Sequence, residues 1–325
     1  MTVARFAAVV LCGASALCLS IPPAAQAGPS NCTGEGIELQ VLGSGGPELL
    51  ADRAASSYLI RDGGLGRVLV DIGGGSAQRF AQAQGRVEDL ELILLTHLHV
   101  DHSADLPALV KASYFTRRRR DLPVLGPSGA GDFPATREWM ARLFGPRGAY
   151  AYLQDYLPAD GAVPAGAYAL RPRDVTVPEG EVKTVFEAGN LIVRAAGLGH
   201  GIVPAVGWRV EIGDRTVVFS GDTHGNDVVL ATLARHADLL VAHNAVPEDA
   251  VGAARALHMP PSVIGKLAGA AQVRRLLLSH RMRRSLGREP ETRRQIAEHY
   301  AGPLRFADDL DCYPLSAPWP ASKTD

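Results

Sequence analysis

An α/β fold of sheets packed together, with helices on the outside, is predicted by three observations. Short apolar runs recur along the chain and end in glycine or polar turns. Stretches with helical spacing lie between and after them, and the alternation fills two similar halves without an internal repeat. Several runs are continuously apolar, as strands buried on both faces are, and such elements bury their faces in layers.

Taken in order, residues 37–42 alternate and then meet Gly43-Ser44-Gly45-Gly46. Residues 57–60 and 68–70 are the next predicted strands, the second closed by Asp71 and Gly73-Gly74-Gly75. The run 90–95 is broken only by Glu91 and leads into Thr96-His97. Helices are predicted over 76–84, 106–115 and 136–144. Residues 145–178 are rich in Pro, Gly and Ala and are predicted to be a loop or lid. In the second half, strands are predicted over 191–195, 206–212, 216–219, 239–242 and 273–278. A Gly213-Asp214 turn joins the second and third of these, and helices are predicted over 227–236, 261–271 and 291–300.

The N-terminus has the pattern of a secretory leader. Arg5 precedes an almost wholly apolar stretch from Phe6 to Ile21, and Ala25-Gln26-Ala27 supplies small residues before a cut at Gly28. The expected organisation is a leader over 1–27 and one domain over 28–325, secreted or periplasmic, with no stable membrane association after cleavage. Removing Arg5 leaves the remainder near a charge of −2. That balance gives no global attraction to nucleic acid or anionic membrane, and a homodimer is left open. Cys12 and Cys18 belong to the leader. Cys32 and Cys312 remain, and in an oxidising compartment they invite a bridge between the two ends of the domain.

The chemistry concentrates in Thr96-His97-Leu98-His99-Val100-Asp101-His102, which follows one apolar run and precedes a helix. Side chains two apart on extended chain face the same way, so His97 and His99 can converge on one ion. Asp101 and His102 sit where the chain turns into the helix and can face a second ion. Imidazole with carboxylate suits zinc, manganese or iron better than calcium or magnesium. One histidine in an apolar strand is more often a packed core residue; three with an aspartate in six positions are not explained that way. His200, Asp222 and His280 follow predicted strands and are further candidate ligands.

With these residues the chain resembles the metallo-β-lactamase superfamily, in the branch of ribonuclease Z, arylsulfatases and related phosphodiesterases. Asp71 in Leu-Val-Asp-Ile-Gly resembles its first motif, and His97, His99, Asp101 and His102 its second. His200 followed by Pro204 and Gly207-Trp208-Arg209 resembles the third, Asp222 in Ser-Gly-Asp-Thr the fourth, and His280 the last. The resemblance implies an αββα sandwich with the site along one edge of two mixed sheets. It also implies His97, His99 and His200 on one metal, Asp101, His102 and His280 on a second, and Asp222 between them.

The expected cofactors are two divalent ions, zinc first, which lower the pKa of a shared water so that hydroxide forms near neutral pH. Asp101, His258 and His243 are the candidate catalytic groups. His258 resembles the histidine that handles the leaving-group proton in ribonuclease Z-like enzymes. There the strand matching 239–242 is followed by a His-Glu pair; here Ala242-His243 puts a histidine at the glutamate. That departure and the leader shift the expectation away from transfer RNA. The expected activity is an exported hydrolase of a small anionic ester, a phosphodiester or sulfate, with no nucleic acid partner. A lactonase or β-lactamase is the alternative. The run Arg117–Arg120 is read as a solvated helix end rather than a steering patch, and Arg281, Arg283 and Arg284 as either surface or a phosphate clamp.

Overall fold

In a computed structural model that describes residues 32–158, 161–163, 167–226, 228–316 and 319, the chain forms two mixed sheets of seven strands each. The expected leader lies outside the described residues. Strands β1 (Ile37–Gly43), β2 (Ser57–Asp62) and β3 (Leu65–Val70) form an antiparallel meander. Strands β4 (Leu92–Leu94), β5 (Leu122–Pro127) and β6 (Leu170–Val175) continue that sheet in parallel. The second sheet repeats the plan. An antiparallel set of β7 (Lys183–Ala188), β8 (Leu191–His200), β9 (Val203–Ile212) and β10 (Arg215–Phe219) is followed by parallel β11 (Leu239–His243), β12 (Leu276–Ser279) and β13 (Leu304–Phe306). A last strand, β14 (Cys312–Pro314), returns to pair with β1.

Strand alternation sorts the side chains into layers. Leu39, Val41, Tyr58 and Val70 of the first sheet meet Val193, Trp208, Phe219 and Val241 of the second in one buried cluster between the sheets. The opposite face of the first sheet is covered by α1 (Ser76–Gln82), α3 (Leu106–Ser113) and α4 (Thr136–Phe144), through Phe80, Leu109, Met140 and Phe144. A short α2 (Val100–Ser103) precedes α3. The outer face of the second sheet is covered by α5 (Val228–Leu233), α7 (Pro261–Ala270) and α8 (Glu289–Ala297), through Leu230, Leu233, Ile264 and Ile296, while α6 (Gly252–Leu257) lies against β8. This is the expected αββα sandwich.

Three expectations change in detail. The 90–95 run gives only β4, because past Leu94 the chain leaves the ladder and Thr96 bonds to the Asp71 side chain instead. The predicted loop 145–178 contains a 3-10 turn, Ala151–Tyr156, and the edge strand β6, and buried Leu153 and Tyr168 anchor it to the outer face of the first sheet. Its Pro172 disguised β6, yet an edge strand tolerates a missing N–H. Strand β8 runs on to His200, so that residue ends a strand and does not sit in a loop.

The arginine run also resolves differently. Arg118 is buried, donates to the carbonyls of Val87, Leu90 and Asp121, and lies 5.1 Å over the Tyr168 ring. It is a structural clamp rather than a solvated helix end. No helix among the described residues is long and apolar enough to cross a membrane. Cys32 and Cys312 are bonded, with a sequence separation of 280, which ties the start of the domain to β14.

Two outcomes follow from this packing. Replacing both Cys32 and Cys312 by Ser lowers stability by about 2–5 kcal/mol, because closing so long a loop removes entropy from the unfolded chain; a shift in the urea midpoint measures it. Arg118→Gln strands buried carbonyls and costs about 1–3 kcal/mol with KM unchanged, whereas Arg119→Gln leaves both stability and KM as they are.

Candidate metal centre

The site lies at the carboxyl ends of the parallel strands, where β3, β4, β10, β11 and β12 hand over to loops. It is built outward from Asp71. This residue follows β3 with φ 55°, a left-handed conformation that aspartate tolerates better than most side chains. Its buried carboxylate accepts Thr96 N–H at 2.7 Å, Thr96 Oγ1–H at 2.8 Å and His102 Nδ1–H at 2.7 Å. Because Nδ1–H of His102 is committed to Asp71, Nε2 is the ring atom left for the cluster. That atom faces the cluster, fully buried and without a hydrogen-bond partner.

All seven expected ligand residues meet here. Ligand atoms of His97, His99 and His200 lie within 4.8 Å of one another, as do those of His102, Asp222, His243 and His280. Asp222 Oδ2 is 4.0 Å from His97 Nε2, 3.8 Å from His102 Nε2 and 3.7 Å from His200 Nε2. Asp101 Oδ2 is 3.2 Å from His280 Nε2 and 3.6 Å from His102 Nε2. His200 donates Nδ1–H to the Leu257 carbonyl at 3.0 Å, which turns its Nε2 inward. Close backbone fits two of these side chains: a Cβ at Gly46 would lie 2.6 Å from the His280 ring, and one at Gly221, whose φ is 54°, 2.8 Å from Thr96. His99 is half-buried while the other ligands are buried, so the cluster opens to solvent on the His99 side.

Strand alternation places His243, like Leu239 and Val241, on the face between the sheets. Its Nδ1–H donates to Asp222 Oδ1 at 2.7 Å, and its Nε2 accepts the Tyr58 hydroxyl at 3.1 Å. Both ring nitrogens are therefore engaged, and the residue is only 2 % exposed. His258 stands beside the cluster, its Nδ1 3.8 Å from Asp222 Oδ2 and without a hydrogen-bond partner. Arg281 is buried, paired with Glu289 at 2.5 Å and stacked on Phe306; it is neither surface nor a phosphate clamp.

The electrostatics suit cations. Burial lowers His97 well below the ordinary histidine value, and lowers His243 and His258 to about 4, so these rings are neutral near pH 7. Burial opposes ionisation of Asp101 and Asp222, but it is outweighed at Asp101 by the hydrogen bond from His280 and the nearby His102, and at Asp222 by the adjoining His280 and the hydrogen bond from His243; Asp101 falls to about 2 and Asp222 well below its usual range. Burial would likewise lower His102, yet the Asp71 charge overrides it and raises this ring to about 9. A ligand must be unprotonated at the coordinating atom, so filling the site displaces a proton from His102 Nε2. Neutral imidazoles, ionised carboxylates and an orphaned inward nitrogen together make this a divalent-metal site. The sequence did not flag Tyr58; its only signal was its place on an inward-facing strand position.

Residues 66–281 match the β-lactamase superfamily domain, more than half of the chain. The ribonuclease Z of Mycobacterium marinum is 30% identical over 287 residues, covering 84% of this chain and 97% of that protein. The ribonuclease Z of Mycobacterium sp. strain KMS is 32% identical over 288 residues, covering 84% and 94%. Among solved structures, the metallo-β-lactamase fold protein YhfI from Bacillus subtilis superposes with a TM-score of 0.63 at 21% identity, over 86% of this chain and 99% of that one. Human tRNase Z, short form, gives 0.63 at 19% identity, over 86% and 100%. Relatives named for a ribonuclease overturn the expectation of a small-molecule ester substrate, with its lactonase alternative, and of no nucleic acid partner. The argument from net charge fails because a whole-chain average does not describe a local site whose cations are not in the sequence. On the domain match and on these near full-length relatives, the chain belongs to the metallo-β-lactamase superfamily and is a metal-dependent hydrolase.

Proposed function

We propose that this protein hydrolyses phosphodiester bonds in RNA. The observation that carries the reading is the convergence of His97, His99, Asp101, His102, His200, Asp222 and His280 in a chain whose relatives are ribonucleases Z. In this reading His97, His99 and His200 would hold one ion and Asp101, His102 and His280 a second, with Asp222 available to both groups; the donor set favours zinc. Bound together, two such cations make hydroxide available near neutral pH and offset charge on the phosphate.

The chain's own residues do the rest. Asp71 fixes His102, and the Leu257 carbonyl fixes His200, so both present Nε2. His243 acts as a positioning residue: Tyr58 donates to its Nε2, its Nδ1–H holds Asp222 Oδ1, and Asp222 Oδ2 is left for the cluster. His258 serves the leaving oxygen. It is neutral when alone, and an arriving phosphate anion raises its affinity for a proton, so protonation accompanies substrate binding. A groove of about 520 Å³ opens beside Asp101, with Leu49, Leu50 and Val100 on its walls and the amides of Gln78 and Gln82 at one side. Aliphatic walls with amide edges suit a base splayed from a single strand. We further propose that residues 1–27 direct export, which the Cys32–Cys312 bond supports, since disulfides persist in oxidising compartments.

Zinc-loaded protein is expected to cleave a fluorescent oligoribonucleotide. Chelation or Asp222→Ala is expected to cut turnover by about 10³-fold or more. A fully metallated protein without action on any RNA overturns the reading. Tyr58→Phe is expected to weaken metal affinity by about tenfold, read by competition with a chromogenic chelator, as loss of a ligand's supporting hydrogen bond does elsewhere. Unchanged affinity would remove the positioning role of His243.

A further inference from the structure

The exposed aromatic side chains are not scattered. Among the described residues, the exposed Tyr and Phe side chains are those of Tyr114, Phe115, Tyr150 and Tyr152, and no Trp joins them. They fall in two places, the C-terminal end of α3 and the 3-10 turn with the residue before it. These two elements pack on each other. Tyr114, Phe115 and Tyr152 are 66 %, 79 % and 67 % exposed. Rings left in water add nothing to the core, and a cluster of them marks a surface that meets another molecule.

Lys111 joins the rings. Its Nζ lies 4.6 Å from the centre of the Tyr114 ring, 5.5 Å from that of Phe115 and 5.7 Å from that of Tyr152, within cation–π range of all three. Tyr114 and Phe115 stand edge to face with centroids 5.3 Å apart. The backbone beneath is fixed. Ser113 and Tyr168 share a hydrogen bond of 2.7 Å, Tyr150 N–H donates to the Leu143 carbonyl at 2.7 Å, and Leu153 is buried. Residues 106–120 hold five cations and no acid. Arg118 is spent on carbonyls, but Arg117 is exposed, and Glu88 takes its backbone N–H rather than its guanidinium. Asp155 is the one acid of the 3-10 turn.

Rings beside cations suit a chain that carries flat bases and phosphates in alternation: the bases stack and the phosphates meet the cation. Bases in a duplex are already stacked on each other, so such a surface selects single strands. A membrane surface also takes aromatic and basic residues, but it calls for Leu or Trp to enter the acyl boundary. Neither α3 nor the 3-10 turn exposes a Leu, Ile, Val or Trp, and two of the three rings carry a hydroxyl. The place also suits RNA. Helix α2 carries Asp101 and His102, α3 starts at Leu106, and its 8 residues put the rings one helix length, about 12 Å, from that start.

We propose that Lys111, Tyr114, Phe115 and Tyr152 form a stacking platform for a single-stranded stretch of the RNA that reaches the metal centre. That this strand is the substrate rests on the hydrolytic reading; that the platform binds it does not.

Fluorescence anisotropy on the full metallated chain tests it, with a labelled single strand of about ten nucleotides, read before turnover, and with the matched duplex. Tyr114→Ala combined with Phe115→Ala removes only exposed rings, and an unchanged thermal midpoint checks that the fold is kept. This double variant is expected to weaken the single strand by about tenfold or more, the loss of one or two stacked bases. The duplex is expected to bind less well and to be indifferent to it. Lys111→Gln is expected to lower the slope of log affinity against log salt by about 0.7, the value for one phosphate contact on a single strand. Arg119→Gln, whose parent guanidinium is turned onto the Arg118 carbonyl, leaves the affinity unchanged. Turnover of bis(p-nitrophenyl) phosphate, too small to span the two places, is the same in all variants. Equal affinity of the parent and the double variant for the single strand overturns the proposal. So does a parent protein that binds anionic phospholipid vesicles through these rings and binds no RNA. A strand held through the rings but never cleaved keeps the platform and ends the hydrolytic reading; cleavage with an affinity that the ring variants do not change does the reverse.

Discussion

One buried carboxylate organises the whole site. Asp71 takes three hydrogen bonds, from the backbone and hydroxyl of Thr96 and from His102, and its own N–H donates to the Leu94 carbonyl. It therefore ties the end of β3 to the end of β4 and to α2, which fixes the course of the chain from His97 to His102. Thr96 in turn accepts the N–H of Val206 at 2.8 Å and so joins the first sheet to the second. The ligands contributed by the two halves are held in register through this short path. Without those donors the buried carboxylate would be left unsatisfied, so fold and site depend on the same bonds.

The layers of the fold were legible because strands appear as alternating or continuously apolar runs and helices as a 3.6-residue spacing. What escaped was local. Strand β6 carries Pro172 and β5 carries Pro123, so both looked like irregular chain, and β8 carries Gly197 and Gly199 before His200, so the strand predicted over 191–195 was read too short. Gly199 is there because His224 packs on it: a Cβ would stand 2.2 Å from that ring. The reason for a glycine inside a strand was thus a contact across the fold, which no local pattern contains.

The same limit applies to the site. The candidate ligand residues were readable because their spacing around strand ends is itself a pattern, and their side chains converge. Tyr58 was not readable, since nothing near it in sequence marks it; it matters only because β2 and β11 face each other across the core, where alternation turns Tyr58 and His243 toward one point. Charged residues were the least legible. Arg118 and Arg281 looked like solvent-facing or ligand-facing cations, and both are buried against carbonyls, a carboxylate or an aromatic ring. Arginine's long apolar stem and forked donors let it close off core edges, and sequence alone does not separate that use from recognition.

Charge is therefore an argument about places. Near −1 overall, the chain carries two regions of opposite design at the two ends of one sheet. At the carboxyl ends, buried imidazoles and the carboxylates of Asp101 and Asp222 converge in a donor set that suits divalent cations. At the amino ends of the same strands, Arg215 and Arg274 meet the buried Asp238 in ion pairs. A whole-chain sum averages over both places and so describes neither.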